Sequence, residues 1–496
     1  MGSAGGRRAR FSTARALVVV AWTVASSRAS AQSPPSAPEK VAVGDWQLAP
    51  MLEVRTRGEY RRDAPDLGGR DLFGRPSGRL RDQWVVLERS RLGLGAERGA
   101  VRAQVTLQDA RALAAPPRFA SSRRLGRFEP YEAFAEVHGG GARPAYVRLG
   151  RQAIVWGEGR LVGSADFSPT GRSLDAARGH VAIGSFDLEA LAAILEAPSP
   201  LGAALDDTAG PSVSGVQLFG VAAKWSYAPL LKVEAFGLAR VARSSGEDLD
   251  GSRFAAARLS GERVTASLRV SGDDRGWTYG AEGAYQVGAT PALRLGGADI
   301  SAWAAAAHVS KTVDQLVLTP TFRLAGSYAS GDDRKGAYKQ FDPLLADPQR
   351  FHGQMDLFAW SNVIDGSARV QVVPFAEATA SVEYRYARLA QGRGEWIDGY
   401  LGAIGSATRP PAVTVTPTAS AATKTEAELG HELDVVFAYR PWAPFEVRAG
   451  WSCLLLGDGA KAVMVAHDRG RRLSNGAISP ASLAQYAYLQ ATLSMP

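Results

Sequence analysis

The sequence predicts an all-β protein: a transmembrane antiparallel β-barrel of about 18 strands, preceded by a cleaved signal peptide. Three observations carry that expectation. The N-terminus is built like an export signal, period-two alternation of polar and apolar residues recurs along the chain, and aromatic residues gather where the alternating runs meet turns.

Arg7, Arg8, Arg10 and Arg15 precede a short apolar run from Ala16 to Ala25, and the small triplet Ala29-Ser30-Ala31 follows before Gln32. A basic stretch, an apolar core too short to anchor in a bilayer and a small-residue cleavage site together read as a secretory signal over residues 1–31. Its loss removes five arginines and no acids, so the formal charge of +8 falls to +3. The basic character therefore belongs largely to the targeting segment. With no basic stripe left, no nucleic acid is expected as a partner. Residues 32–45, opening on a Pro- and Ser-rich stretch, read as a flexible leader. From residue 46 to residue 496 the chain reads as one barrel: apolar residues are abundant but scattered, and no run nears the roughly 20 residues of a membrane helix.

Strand signals follow in order. Glu88 falls in register with Trp84, Val86 and Leu92, which predicts a bulge or an interfacial position there. Tyr146, Arg148 and Gly150 alternate with Val147 and Leu149, placing polar and apolar groups on opposite faces of one strand. Leu188 to Glu196 suits a strand better than an amphipathic helix. In WTYGAEGAYQV, Trp277, Tyr279, Tyr285 and Val287 share one face against Thr278, Glu282 and Gln286. Glu383 and Arg385 oppose Val382, Tyr384 and Tyr386, while ELDVVFAY turns Leu433, Val435, Phe437 and Tyr439 outward. Glu446 and Arg448 oppose Phe445, Val447 and Trp451. The final run, AQYAYLQATLSMP, lacks a terminal aromatic and carries Leu493 in the outward register. Gly331 to Met355 and Gly402 to Lys424 interrupt the alternation as long loops, the first extracellular or folded into the lumen. A soluble sandwich alternates too, with aromatics inside. The signal, the number of segments and the aromatic placement favour the membrane form. Strands of roughly 9 to 11 residues, at about 26 residues per strand and connection, give around 18 strands.

The stretch from Gly150 to Arg178 is the most concentrated in charge, with Arg151, Arg160, Arg172 and Arg178 interleaved with Asp166 and Asp175. Such groups are costly against hydrocarbon, so they must face water or each other, as on the inside of a barrel wall. Catalytic chemistry finds no foothold. The six histidines are widely separated, with no HExxH pair and no GxSxG elbow. Asp273-Asp274 and Asp332-Asp333 read as turn residues. Cys453 stands alone in a strand-like run and reads as a wall residue. No enzyme activity, cofactor or metal is expected.

The ordered string Gly150-Arg151-Gln152, Trp156-Gly157, Arg160-Leu161-Val162-Gly163, Asp166-Phe167, Thr170-Gly171-Arg172, Asp175 and Arg178 resembles the alginate export family of bacterial outer-membrane proteins. Support continues at Glu88 to Leu94, Tyr131 to Phe134, Gly326 to Asp333, Phe341 to Leu344 and Glu428 to Tyr439, so the resemblance spans nearly the whole mature chain. It implies a monomeric barrel among outer-membrane lipids, with a polar lumen carrying an anionic polysaccharide or oligosaccharide. A periplasmic secretion scaffold is a further partner in such export. The lining and substrate-guiding residues it nominates are Arg89, Arg91, Arg148, Arg151, Arg160, Asp166, Arg172, Asp175 and Arg178, and, more remote in sequence, Arg269, Arg323, Glu383, Arg385, Glu446 and Arg448. Guanidinium groups stay charged and pair with carboxylates, and rings of them select anions. Two readings compete with polymer export: a general or small-anion porin, and a barrel adhesin or enzyme acting through its long loops.

Overall fold

Period-two alternation becomes a closed wall. The computed structural model describes residues 40–63, 82–114, 127–139, 145–196, 215–243, 254, 258, 260–290, 297–399, 403–405, 427–463 and 482–495. The expected signal segment and most of the loop at 402–424 lie outside them. Eighteen antiparallel strands form the barrel: β1 Trp46–Arg62, β2 Asp82–Arg98, β3 Val101–Ala114, β4 Arg127–His138, β5 Ala145–Gln152, β6 Leu174–Ile183, β7 Phe186–Glu196, β8 Gly215–Ala228 and β9 Leu231–Arg243. The second half continues as β10 Ser260–Asp274, β11 Trp277–Thr290, β12 Ala298–Thr312, β13 Thr321–Ala329, β14 Val363–Val372, β15 Ala378–Leu389, β16 Glu428–Trp442, β17 Phe445–Leu456 and β18 Leu483–Met495. Each strand pairs with its neighbour in sequence, and β1 pairs with β18 from Leu52↔Met495 to Arg62↔Gln485, leaving no barrel edge unpaired. The last part of the expected leader is ordered: Val41–Val43 turns back on Trp46–Leu48 in a tight hairpin.

The two faces are inverted relative to a soluble protein. Val147, Leu149, Leu268, Tyr285 and Leu489 are exposed on the outside, whereas Arg57, Gln108, Glu282, Gln286 and Arg385 are buried inside. Aromatic rings mark both rims, with Trp84 and Phe128 at one end and Phe186, Trp225, Tyr227 and Trp442 at the other. Glu88 keeps its outward register opposite Arg111, beside a register shift at Val86 and Leu87. Leu493 faces out between Val54 and Phe445.

One end carries short turns, such as 99–100, 184–185, 229–230, 275–276 and 443–444. At 275–276 both Arg275 (φ 46°) and Gly276 (φ 78°) are left-handed, the conformation that follows strand twist in a two-residue hairpin. The opposite end carries the long connections, which is the external side in barrels of this kind.

Two of those connections fold back into the barrel. Residues 153–173, between β5 and β6, are a loop and not a continuous strand, so the charge-rich stretch is wall only at its ends. Residues 330–362, between β13 and β14, meet it inside. Backbone bonds stitch the two together: Gly163 N to Leu345 O and Leu345 N to Leu161 O at 2.9 Å, and Asp347 N to Gly159 O at 3.0 Å. Trp156, Leu161, Val162, Phe341, Leu344 and Trp360 form an apolar core against the inner wall at Leu218, Phe236, Leu238 and Ala302. Gly220 makes room for it, since a Cβ there would lie 2.6 Å from the Trp156 ring. Met355, Leu357 and Phe358 form a second cluster with Trp396, Leu454, Tyr486 and Tyr488. The barrel therefore holds a packed apolar plug inside a polar wall.

Candidate pore site

Loop carboxylates meet wall arginines around this plug. Asp166 Oδ1 accepts from Arg89 at 2.9 Å and from Arg91 at 3.1 Å, while Glu53 accepts from Arg89 at 2.7 Å. On β1, Arg55 donates to the carbonyls of Asp166 and Ser168, and Arg57 donates to that of Phe167 and lies over its ring, 4.0 Å from the centroid. Burial alone would raise the Asp166 carboxyl, but Arg89, Arg55 and Arg91 overcome it and hold the group far below the usual range. Across the lumen, Arg269 on β10 donates to Glu158 at 2.8 Å and also to Glu234. Against burial, His308 and Arg269 bring Glu158 down to about 2. Near the long-loop end, Asp342 is fully buried among Arg240, Arg258 and Arg263. Their charges outweigh its burial and hold it low.

Other nominated residues brace the wall or the plug. Arg148 pairs with Glu136 at 2.6 Å, and Arg178 with Glu189 at 2.6 Å. Arg385 joins Glu383 (2.7 Å) and Asp365; Glu383 also takes Arg369. Glu446 lies 2.8 Å from Arg440 and 3.5 Å from Arg448. Arg160 stacks over Phe351 and approaches Glu282 only to 3.9 Å. Arg172 donates to the carbonyls of Gly163 and Ala346 at 3.0 Å and to that of Leu345, so it staples the two loops.

Arg151 and Asp175 depart from the expected lining. They pair with each other at 2.9 Å in the register of the outward-facing Leu149 and Ala177, one residue from the long-loop ends of β5 and β6. Alternation itself puts them there, since Arg148 faces in and Leu149 out. At that rim the pair sits at interfacial depth, where charge is tolerated.

Arg323 lines the lumen near the short-turn end. It stands opposite Arg369 on β14 and is hydrogen-bonded to no carboxylate among the described residues. It borders a cavity of about 250 Å³ between the plug and the short-turn mouth, shared with Glu158, Arg269, His308 and Arg369. Residues not nominated from sequence include Arg55, Arg57, Arg240, Arg258, Arg263 and Asp342. For Arg55 and Arg57 the sequence carries a signal, because VRTRGEYR alternates as clearly as the run from Trp277 to Val287.

A family model described as alginate export matches residues 47–469. The chain belongs to the alginate export family. This member is thus a non-enzymatic channel of the bacterial outer membrane, as its barrel also indicates. Among solved structures it is similar to Pseudomonas aeruginosa OccK2 in complex with glucuronate (TM-score 0.52, 11% identity, covering 90% of this chain and 98% of that one). It is similar also to Pseudomonas aeruginosa OccK9 (0.52, 15%, 90% and 98%) and to a BenF-like porin from Pseudomonas fluorescens (0.53, 9%, 90% and 98%). At these identities the likeness is one of fold. No curated protein sequence matches the chain.

Proposed function

We propose that this member of the alginate export family passes an anionic polysaccharide, alginate-like in carrying sugar carboxylates, passively outward through an arginine-lined lumen. The observation that carries this reading is Arg323, a lumenal guanidinium beside Arg369 with no carboxylate bonded to it, at the mouth a periplasmic polymer meets first. A guanidinium with no carboxylate bonded to it, in a narrow polar passage, attracts anions. Further in, acids of wall and loops neutralise the arginines, which lets a bound polymer leave as well as enter. The fold suits the ligand class, since OccK2 was solved with glucuronate, itself a sugar carboxylate.

Reversal potentials in planar bilayers under a salt gradient test the reading. Wild type is expected to prefer anions, Arg323→Gln to lose much of that preference, and Arg151→Gln to keep it, because Arg151 faces outward. Cation preference in wild type overturns the reading. Deletion of the gene is expected to lower secretion of an acidic polysaccharide; unchanged secretion together with anion preference identifies a small-anion porin instead.

A further inference from the structure

Where β16 meets the plug, acids outnumber cations. Glu432 and Asp434 occupy successive inward positions of β16, at 1% and 4% exposure, and neither forms an ion pair with a described lysine, arginine or histidine. The guanidiniums beside them are already engaged. Arg385, opposite Glu432 in register, bonds Glu383 at 2.7 Å and also Asp365, and Arg369 bonds Glu383 at 2.6 Å. Four carboxylates thus face two guanidiniums, and His352, 3.7 Å from Asp365, would leave the balance negative even if protonated. Arg160 is matched by Glu282 at 3.9 Å, and on the other side Arg61 lies over the Tyr486 ring and pairs with Glu59.

Three oxygens at this spot are buried and take part in no hydrogen bond: Glu432 Oε2, Asp434 Oδ1 and the Ser452 hydroxyl. Ser452, 0% exposed, is the direct partner of Asp434 on β17, so its hydroxyl projects from the same inner face as the two acids. Buried carboxylates brought together are protonated, paired or bound to a metal. A shared proton cancels one charge and serves two oxygens. A divalent cation cancels both charges and draws on all three. Hard oxygen donors of this kind suit calcium, which accepts irregular sets of about six to eight oxygens and completes them with water, whereas magnesium demands a near-octahedral set.

The plug rests on the same carboxylate. Glu432 Oε1 accepts the Met355 N–H at 3.3 Å, and Gly353 (φ 94°) lies so close that a Cβ there would stand 2.5 Å from both Oε1 and Oε2. A cation that fixes Glu432 therefore fixes the seat of the 353–355 segment.

We propose that Glu432, Asp434 and Ser452 form a calcium site at the junction of wall and plug, and that the bound ion holds the 330–362 loop in the lumen. Its donors come from positions i and i+2 of one strand and from a register partner on the next, a set with no spacing motif in the sequence. The site is independent of what the channel carries.

The test is isothermal titration of the full chain in detergent micelles at neutral pH, after treatment with a chelator, using calcium chloride alone. Wild type is expected to bind with a dissociation constant of about 10 µM. Ser452→Ala is expected to bind about tenfold more weakly, and the double variant Glu432→Gln/Asp434→Asn at least about a hundredfold more weakly. A wild type that takes up no calcium overturns the proposal, as does wild-type affinity in the double variant. Equal affinity for magnesium chloride overturns the assignment to calcium. In planar bilayers a chelator is expected to raise wild-type conductance severalfold and added calcium to restore it, with the double variant responding to neither. A wild type whose conductance ignores the chelator overturns the role in seating the plug. Where the double variant fails to form a heat-modifiable barrel, calcium affinity in Ser452→Ala equal to wild type overturns the site equally.

Discussion

At the residue scale, the lumen is organised by carboxylates on loops that sit against arginines on strands. Arg89 is 2% exposed and reaches Asp166 and Glu53, so removing the Asp166 charge leaves a buried guanidinium with half its acids. Asp166→Asn is expected to cost about 2 kcal/mol, less than a fully orphaned buried ion because Glu53 remains. Denaturant unfolding in detergent micelles measures it, and a midpoint equal to wild type would show that the pair contributes nothing. The Asp166 carboxyl titrates far below its ordinary range, so this clamp is complete above the unfolded-state value of about 3.9 and weakens only as pH falls below it. Arg151 shows how far such roles are legible. Its charge and position in the family string suggested the lumen, yet the alternation around it already placed it outside.

At the element scale, strands were legible and the plug only as the inward alternative for the 331–355 loop, for one physical reason. A strand half in lipid and half in a polar lumen writes its environment into every second residue, as Trp277 to Val287 does. The loop at 153–173 packs on wall and plug inside the lumen, away from lipid, so its arginines and aspartates follow their partners and no fixed period. Its charges looked like wall because they pair with wall. The 330–362 loop adds a titrating group to this contact. Asp356 is pushed up to about 7, first by burial and further by Glu59, with Arg61 and Arg57 opposing and Asp347 adding repulsion. A carboxyl whose folded value is raised binds its proton more tightly in the packed loop. The packing is therefore strongest below about pH 4, weakens as pH rises through the interval up to about 7, and is constant beyond. Wild-type channels are expected to show more opening fluctuations at pH 8 than at pH 5, and Asp356→Asn to lose most of that difference. Identical noise at both values in wild type would remove Asp356 from the control of the loop.

At the scale of the whole molecule, two apolar surfaces do different work. The outer surface holds the barrel in lipid, and the inner core of Trp156, Phe341, Leu344 and Trp360 holds the loops in the lumen. Closure depends on the first: every strand pairs with its sequence neighbour, and β1 zips to β18 without help from either loop. Ala329 and Val363 are already direct partners across β13 and β14, so the 33 residues of 330–362 can be replaced by a short turn with no change of register. The shortened chain is expected to fold into a heat-modifiable barrel with conductance several times that of wild type. Its anion preference is expected to fall only in part, because Arg323, Arg369 and Arg269 stay on the wall. Much of the 153–173 loop's packing goes with the excised segment, and Arg172 loses its carbonyl acceptors on Leu345 and Ala346. That loop is expected to become sensitive to protease added from the long-loop side. An excised chain that inserts and conducts at the wild-type level would mean that the passage runs elsewhere. One that fails to insert would mean that the plug belongs to the folding core.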